Sequence, residues 1–141
     1  MQMTPEIAKP PAGKIVVDLD GTITFDEDCS YADKRPNVAV IEKLHSLKRS
    51  GYQIVIFTAR NMKTYSGSLG KINVHTLPVI MEWLQKHDVP FDEVIVGKPW
   101  CGTDGFYVDD KAIRPSELVN LTLGEIQGLL QKENSKQNSG Q

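Results

Sequence analysis

A repeated local pattern constrains this chain more than any other feature. A short apolar run rich in β-branched residues stops abruptly at polar residues, and a longer stretch with apolar residues at helical spacing follows. Lys14 to Leu19 (KIVVDL) is the first such run and stops at Asp20-Gly21. Tyr52 to Phe57 (YQIVIF) is the second and stops at Thr58-Ala59-Arg60. Glu93 to Val96 is a third, ending at Gly97-Lys98-Pro99, and Phe106 to Val108 a fourth, ending at Asp109-Asp110. Runs that are apolar without in-and-out alternation predict strands buried on both faces, the habit of parallel sheets.

The intervening segments supply the crossovers. Pro36 sits where a helix can begin, Val38, Ile41, Leu44 and Leu47 are spaced as one apolar face, and Ser50-Gly51 ends it. After a loop at 61–71, residues from about Val74 to His87 carry Leu77, Ile80, Met81 and Leu84 at helical spacing, with Pro78 tolerable in the first turn. Thr122 and Glu125 have the spacing of a capping box for a last helix through Leu130. Strands alternating with amphipathic helices predict an α/β fold: a Rossmann-like parallel sheet with right-handed crossovers and helices on both faces. In such sheets ligands sit beyond the carboxyl ends of the strands.

A length of 141 residues suits one domain, expected over 13–132, with the polar stretches 1–12 and 133–141 expected to be disordered tails. The 40% hydrophobic and 24% charged residues are those of a globular chain. The net charge of -2 offers no broad positive field for a nucleic-acid backbone, so any anion must be gripped locally. Cys29 and Cys101 lie in no zinc-ligand or redox spacing and read as free thiols. The first 14 residues (MQMTPEIAKPPAGK) hold no apolar stretch of signal-peptide length, and nothing approaches the roughly 20 apolar residues of a membrane span. A cytoplasmic chain with no membrane partner is expected.

Every predicted strand ends in groups suited to phosphoryl transfer: Asp18 and Asp20, then Thr58, then Lys98, then Asp109 and Asp110. Asp18 and Asp20 are two apart, so at a strand end both point to the same side of the sheet. A carboxylate attacking a phosphate monoester meets another anion, which makes a divalent cation close to obligatory. Mg²⁺ prefers oxygen ligands and keeps several waters, which suits a site of a few carboxylates plus substrate oxygen. In this reading Asp18 attacks phosphorus to give an aspartyl-phosphate. Asp20 protonates the leaving oxygen and then deprotonates the hydrolytic water. Thr58 donates to a phosphoryl oxygen, Lys98 neutralises the developing charge, and the acidic residues after the fourth strand complete the metal site.

Each residue alone has a blander reading. Asp20-Gly21 is a turn, Thr58 a strand former, Lys98 a solvated charge, and Asp109-Asp110 a turn or cap. Their joint occurrence at four successive strand ends favours chemistry. Arg60 and Asn61, directly after the second run, rank first among further substrate-binding candidates. Lys63, Lys71, His75, Lys111 and Arg114 rank below them, and Trp83 reads as core or interface.

The segments VDLDGT (17–22), FTAR (57–60), VGKP (96–99) and YVDD (107–110) resemble, in order, the four motifs of the haloacid dehalogenase superfamily. The resemblance runs from about Lys14 to the end of the last predicted helix. It implies Asp18 as nucleophile and metal ligand, and Asp20 as acid/base with its backbone carbonyl on Mg²⁺. It also implies Thr58 and Lys98 on the phosphate, with Asp109 and Asp110 around the metal, Asp109 the direct ligand. It implies a sheet order of 4-1-2-3 in a three-layer fold. The stretches NMKTYSGSLGKINVHTLP and VGKPWCGTDGFYVDDKAIRPSE resemble small capless phosphatases of capsule and surface-polysaccharide synthesis. That likeness implies a small phosphorylated substrate, a sugar phosphate or related metabolite.

Superfamily members usually draw specificity from an inserted cap domain, and neither inter-motif gap here has room for one. An open site is therefore expected, covered if at all by another subunit of a homo-oligomer. The loop Met62 to Lys71, with Gly67 and Gly70, is the candidate for a closing element. Two alternatives remain in view: a receiver-like phosphoacceptor or binding module, and a phosphomutase on the same fold. A receiver places its acidic pair first, whereas here the paired acids come last.

Overall fold

The computed structural model describes residues 13–139, and the expected disorder over 1–12 lies outside them. Contacts divide the chain between Pro99 and Trp100 into two compact units, both of which lie within the span expected for the domain, 13–132, over most of their length.

The first unit is a parallel sheet with helices. Strand β1 (Lys14–Val17) leads through a tight turn and a polar excursion into α1 (Val38–Arg49), then β2 (Gln53–Thr58), α2 (Leu69–His75), α3 (Leu77–Lys86) and β3 (Glu93–Val96). The order is β1-β2-β3, both pairings are parallel, and the register sets Val17 beside Ile56 and Thr58 beside Val96. Three predicted strands are thus present within a residue or two of their expected bounds. The fourth is not: Phe106–Val108 forms no strand, and all three side chains are exposed.

Helix α1 buries Val40, Ile41, Leu44 and Leu47, while Val38, expected on that face, is exposed. Asn37 explains the offset. Its side chain accepts from the Val40 amide and caps a helix that begins at Val38, two residues after Pro36, so Val38 falls in the solvent-facing first turn. The predicted helix from about Val74 to His87 is in fact two. Ser68 caps α2, which starts inside the expected loop at 61–71, and the break comes at Thr76, with Pro78 in the first turn of α3.

The helices bury the sheet face that carries Val17, Ile54 and Ile56. The opposite face, with Val16, Phe57 and Ile95, forms an open apolar trough in which Val16 and Ile95 are exposed. The double burial expected of these strands is therefore complete on one face and partial on the other, where Val55 is buried while Val16 and Ile95 are exposed. Asp92 fastens the middle strand to α1: its carboxylate accepts from Lys48 Nζ at 2.7 and 2.8 Å and from the Ile54 amide at 2.8 Å. Those donors hold its pKa below the usual carboxylate range, Lys48 contributing most.

The second unit contains α4 (Pro115–Asn120) and α5 (Leu123–Ser139). The predicted capping box is present: the Thr122 amide donates to Glu125 at 2.9 Å, and the Glu125 amide donates to Thr122 Oγ1 at 3.2 Å. Helix α5 continues through 133–139, past the expected end at Leu130. No helix among the described residues is long and apolar enough to cross a membrane.

Leu44 is wholly buried. Leu44→Ala is expected to destabilise the chain by about 3 kcal/mol, the range for a fully buried leucine, measured by urea unfolding. Asp92→Asn should lower the urea midpoint at neutral pH. That difference should shrink as pH falls below the usual carboxylate range, where wild-type Asp92 is protonated and its donors lose their anion.

Candidate active site

The site begins with the chain geometry after β1. Asp18 leaves the strand extended, and Leu19–Thr22 then form a tight reversal in which Asp20 (φ -72°, ψ 126°) and Gly21 (φ 80°, ψ 2°) take the central angles of a type II turn. Gly21 is required there because a side chain resists that positive φ. The Thr24 amide donates back to the Leu19 carbonyl at 3.0 Å, and Leu19, Ile23 and Thr24 are buried, so the turn is held from beneath.

Asp18 and Asp20 meet different cations. Lys98 Nζ lies 3.6 Å from Asp18 Oδ1. Asp18 is half-buried, and its pKa is raised, first by desolvation and partly offset by Lys98 and a hydrogen bond from the Leu19 backbone. Asp20 receives a two-pronged bond from Arg60, Nε to Oδ2 at 3.0 Å and Nη2 to Oδ1 at 2.8 Å.

Thr58 ends β2 fully buried, and its hydroxyl oxygen accepts from the Arg60 amide at 3.1 Å, which leaves its own hydrogen to donate. The Lys98 amide donates to the Thr58 carbonyl at 3.1 Å and ties the end of β3 to the end of β2. Gly97 makes that turn at φ 90°, where an added Cβ would come 2.5 Å from the Leu69 side chain. Asn61, also at positive φ, donates to Thr64 Oγ1 at 3.1 Å and accepts from Thr76 Oγ1 at 2.7 Å, which braces the loop before α2.

The structure thus brings together Asp18, Asp20, Thr58, Arg60 and Lys98 at one end of the sheet. Asp109 and Asp110 belong to the second unit, where both are exposed and the Lys111 amide donates to Asp109 Oδ1 at 2.9 Å. Among the described residues no group of three or more His, Cys, Asp or Glu side chains is gathered as a metal centre.

Two residues that the sequence did not point to complete the surroundings of Asp20. Lys34, 7% exposed, has Nζ 3.9 Å from Asp20 Oδ1 and 3.9 Å from Asp26 Oδ1. The Tyr31 ring stacks under the Arg60 guanidinium, 4.1 Å from centroid to Cζ, with Lys34 Nζ at 5.2 Å. Both come from the excursion at 24–37, pinned at its ends by the Phe25 amide to the Arg35 carbonyl and the Asn37 amide to the Ile23 carbonyl. Trp83, buried as core, donates from Nε1 to the Lys34 carbonyl at 2.9 Å.

These elements define an α/β protein with a three-stranded parallel sheet and a polar cluster beyond the strands' carboxyl ends. Its family is that of a structural-genomics target from Vibrio cholerae known by its crystal structure, to which this chain is 56% identical over 86% of its own length and 98% of that chain, with a TM-score of 0.85. Two structures of the Pnkp1/Rnl/Hen1 complex, one of them described as an RNA repair complex, are matched at 18% and 15% identity. Those matches have TM-scores of 0.48 and 0.45 and cover 73% and 74% of this chain but 32% and 31% of those. No family model and no curated protein matches the chain.

In metal-free protein, Asp18→Asn should raise the urea midpoint at neutral pH, because it removes a charge that burial disfavours. In wild type the folded chain holds the Asp18 proton more tightly than the unfolded chain does. Stability should therefore fall as pH rises through the interval between the two pKa values and level off above it. An unchanged or lowered midpoint would mean that Lys98 outweighs desolvation.

Proposed function

We propose that this chain is a Mg²⁺-dependent phosphomonoester hydrolase of the haloacid dehalogenase type, working through an aspartyl-phosphate on Asp18. One observation carries the reading: side chains from all three strand ends converge, with Lys98 on Asp18, Arg60 on Asp20, and Thr58 tied through its carbonyl to Lys98.

The chemistry follows from this arrangement. Asp18 attacks phosphorus as a carboxylate, and the bond to the leaving oxygen breaks. Asp20, as the carboxylic acid, gives that oxygen its proton. Asp20 then takes a proton from water, which attacks the aspartyl-phosphate and releases inorganic phosphate with Asp18 restored. Thr58 donates to a phosphoryl oxygen and Lys98 supplies positive charge beside the reacting group.

Mg²⁺ fits the donors. Asp18 is a half-buried carboxylate that offers hard oxygen, as does the main-chain carbonyl of Asp20, whose two carboxylate oxygens are engaged by Arg60. Asp109 and Asp110 are the proposed further ligands. The cation would offset the repulsion between nucleophile and phosphate.

The same reading carries the sheet order 4-1-2-3 within three layers, with Phe106–Val108, which forms no strand in this structure, as the candidate fourth strand. Its support is three exposed apolar side chains in succession just before the acidic pair, together with β1 standing at the edge of the described sheet. The proposed substrate is a small phosphorylated metabolite, such as a sugar phosphate of surface-polysaccharide synthesis, handled in the cytoplasm at an open site.

Purified protein with Mg²⁺ should hydrolyse p-nitrophenyl phosphate with steady turnover and lose activity reversibly in EDTA. Asp18→Asn and Asp20→Asn should each lower kcat at least about 10²-fold, on the scale of positioned acid–base and covalent catalysis. A single stoichiometric phosphorylation by acetyl phosphate without turnover would instead indicate a phosphoacceptor module, and near wild-type rates in Asp18→Asn would remove the nucleophile.

A further inference from the structure

The excursion at 24–37 looks, in sequence, like a polar spacer between β1 and α1. In the fold it delivers a buried lysine and an aromatic ring to the back of one carboxylate. Arg60 is 4% exposed, and two of its three nitrogens are committed to Asp20 in a planar fork that restrains both translation and rotation of the carboxylate. Its remaining nitrogen, Nη1, is buried with no hydrogen-bond partner among the described residues. Tyr31 closes over the guanidinium face, and Lys34, also buried, places a second positive charge against Asp20 Oδ1. Lys34 is itself anchored, through its carbonyl, by the Trp83 indole.

A buried guanidinium against a carboxylate that is 27% exposed is not what a surface ion pair looks like. Surface pairs leave both partners free to reorient, and they add little. Here the cation is buried, with two of its nitrogens and one face engaged, and the anion retains access to solvent. Such an arrangement aims a carboxylate; it does not present an arginine to a ligand.

We propose that Arg60, backed by Tyr31 and Lys34, is a positioning residue that holds the Asp20 carboxylate at the angle needed for proton transfer. This inference rests on Asp20 acting as acid and base in the hydrolysis proposed above. It also reassigns Arg60 from the substrate, where the sequence puts it, to the machinery behind the acid.

Two measurements test it. The first compares Arg60→Ala and Arg60→Lys with wild type on phosphate esters of graded leaving groups, from p-nitrophenyl to simple alkyl. An acid that has lost its aim matters most when the leaving oxygen needs a proton. Arg60→Ala should therefore lower kcat about 10²-fold or more on alkyl phosphate, and markedly less on p-nitrophenyl phosphate, with KM changed little. Arg60→Lys should recover part of the alkyl-phosphate loss. Equal losses across the series, or a loss confined to KM, would overturn the proposal in favour of a packing or substrate-binding role.

The second measurement needs no activity. Urea unfolding of metal-free Arg60→Met, Asp20→Asn and the double variant should show strong non-additivity, the double variant being more stable than the two single shifts sum to. Additive shifts would show that Arg60 does not hold Asp20. If coupling is present but wild type turns over no ester in the series, the hydrolase reading has failed while the clamp stands as structure, and the proposed role in proton transfer falls with that reading.

Discussion

Parallel strand pairing fixes more than which strands are neighbours. Because β1, β2 and β3 run in one direction, the residues that follow each strand emerge at the same end of the sheet, whatever lies between them in sequence. Asp18, Thr58 and Lys98 are 40 residues apart at each step, yet the register that sets Val17 beside Ile56 and Thr58 beside Val96 leaves them little choice but to gather. The Lys98 amide bonded to the Thr58 carbonyl extends that register one step beyond the last strand residues.

What the sequence made legible is what depends on period and punctuation. Strands β1, β2 and β3 could be read because each is a compact apolar run cut off by polar residues, and the Thr122–Glu125 box because its spacing is itself the mechanism. The divided helix at Thr76 was not legible. Apolar residues on either side keep an approximate helical phase, so the break leaves no trace in periodicity, and the Ser68 cap lies in a stretch that reads as loop. Phe106–Val108 has the composition of a strand, but strand formation needs a partner edge, and composition cannot report one.

For the candidate site, the sequence shows which residues the strand ends gather, and shows less of how they pair. Asp18, Asp20, Thr58 and Lys98 could be named from strand ends alone. That Arg60 would turn inward to Asp20 could not, since an arginine after a strand is as well suited to solvent or substrate. Lys34 and Tyr31 were hidden for a stronger reason. Lysine is almost never buried without a paired charge, and the pairing with Asp20 spans a segment with no regular periodicity. A local clue existed in the tyrosine and lysine placed just ahead of Pro36, but it acquires meaning only once the excursion folds back on β1.

Gly97 extends this dependence to a residue with no chemistry of its own. Its backbone angle sets the direction in which the next residue leaves the sheet, and Leu69 occupies the space that any side chain would need. The lysine's reach is thus inherited from its neighbour. In related chains, drift at this silent position could retune the charge beside Asp18 while every acidic, hydroxyl and amino group stayed in place. A comparison restricted to reactive residues would judge two such proteins equivalent when they are not.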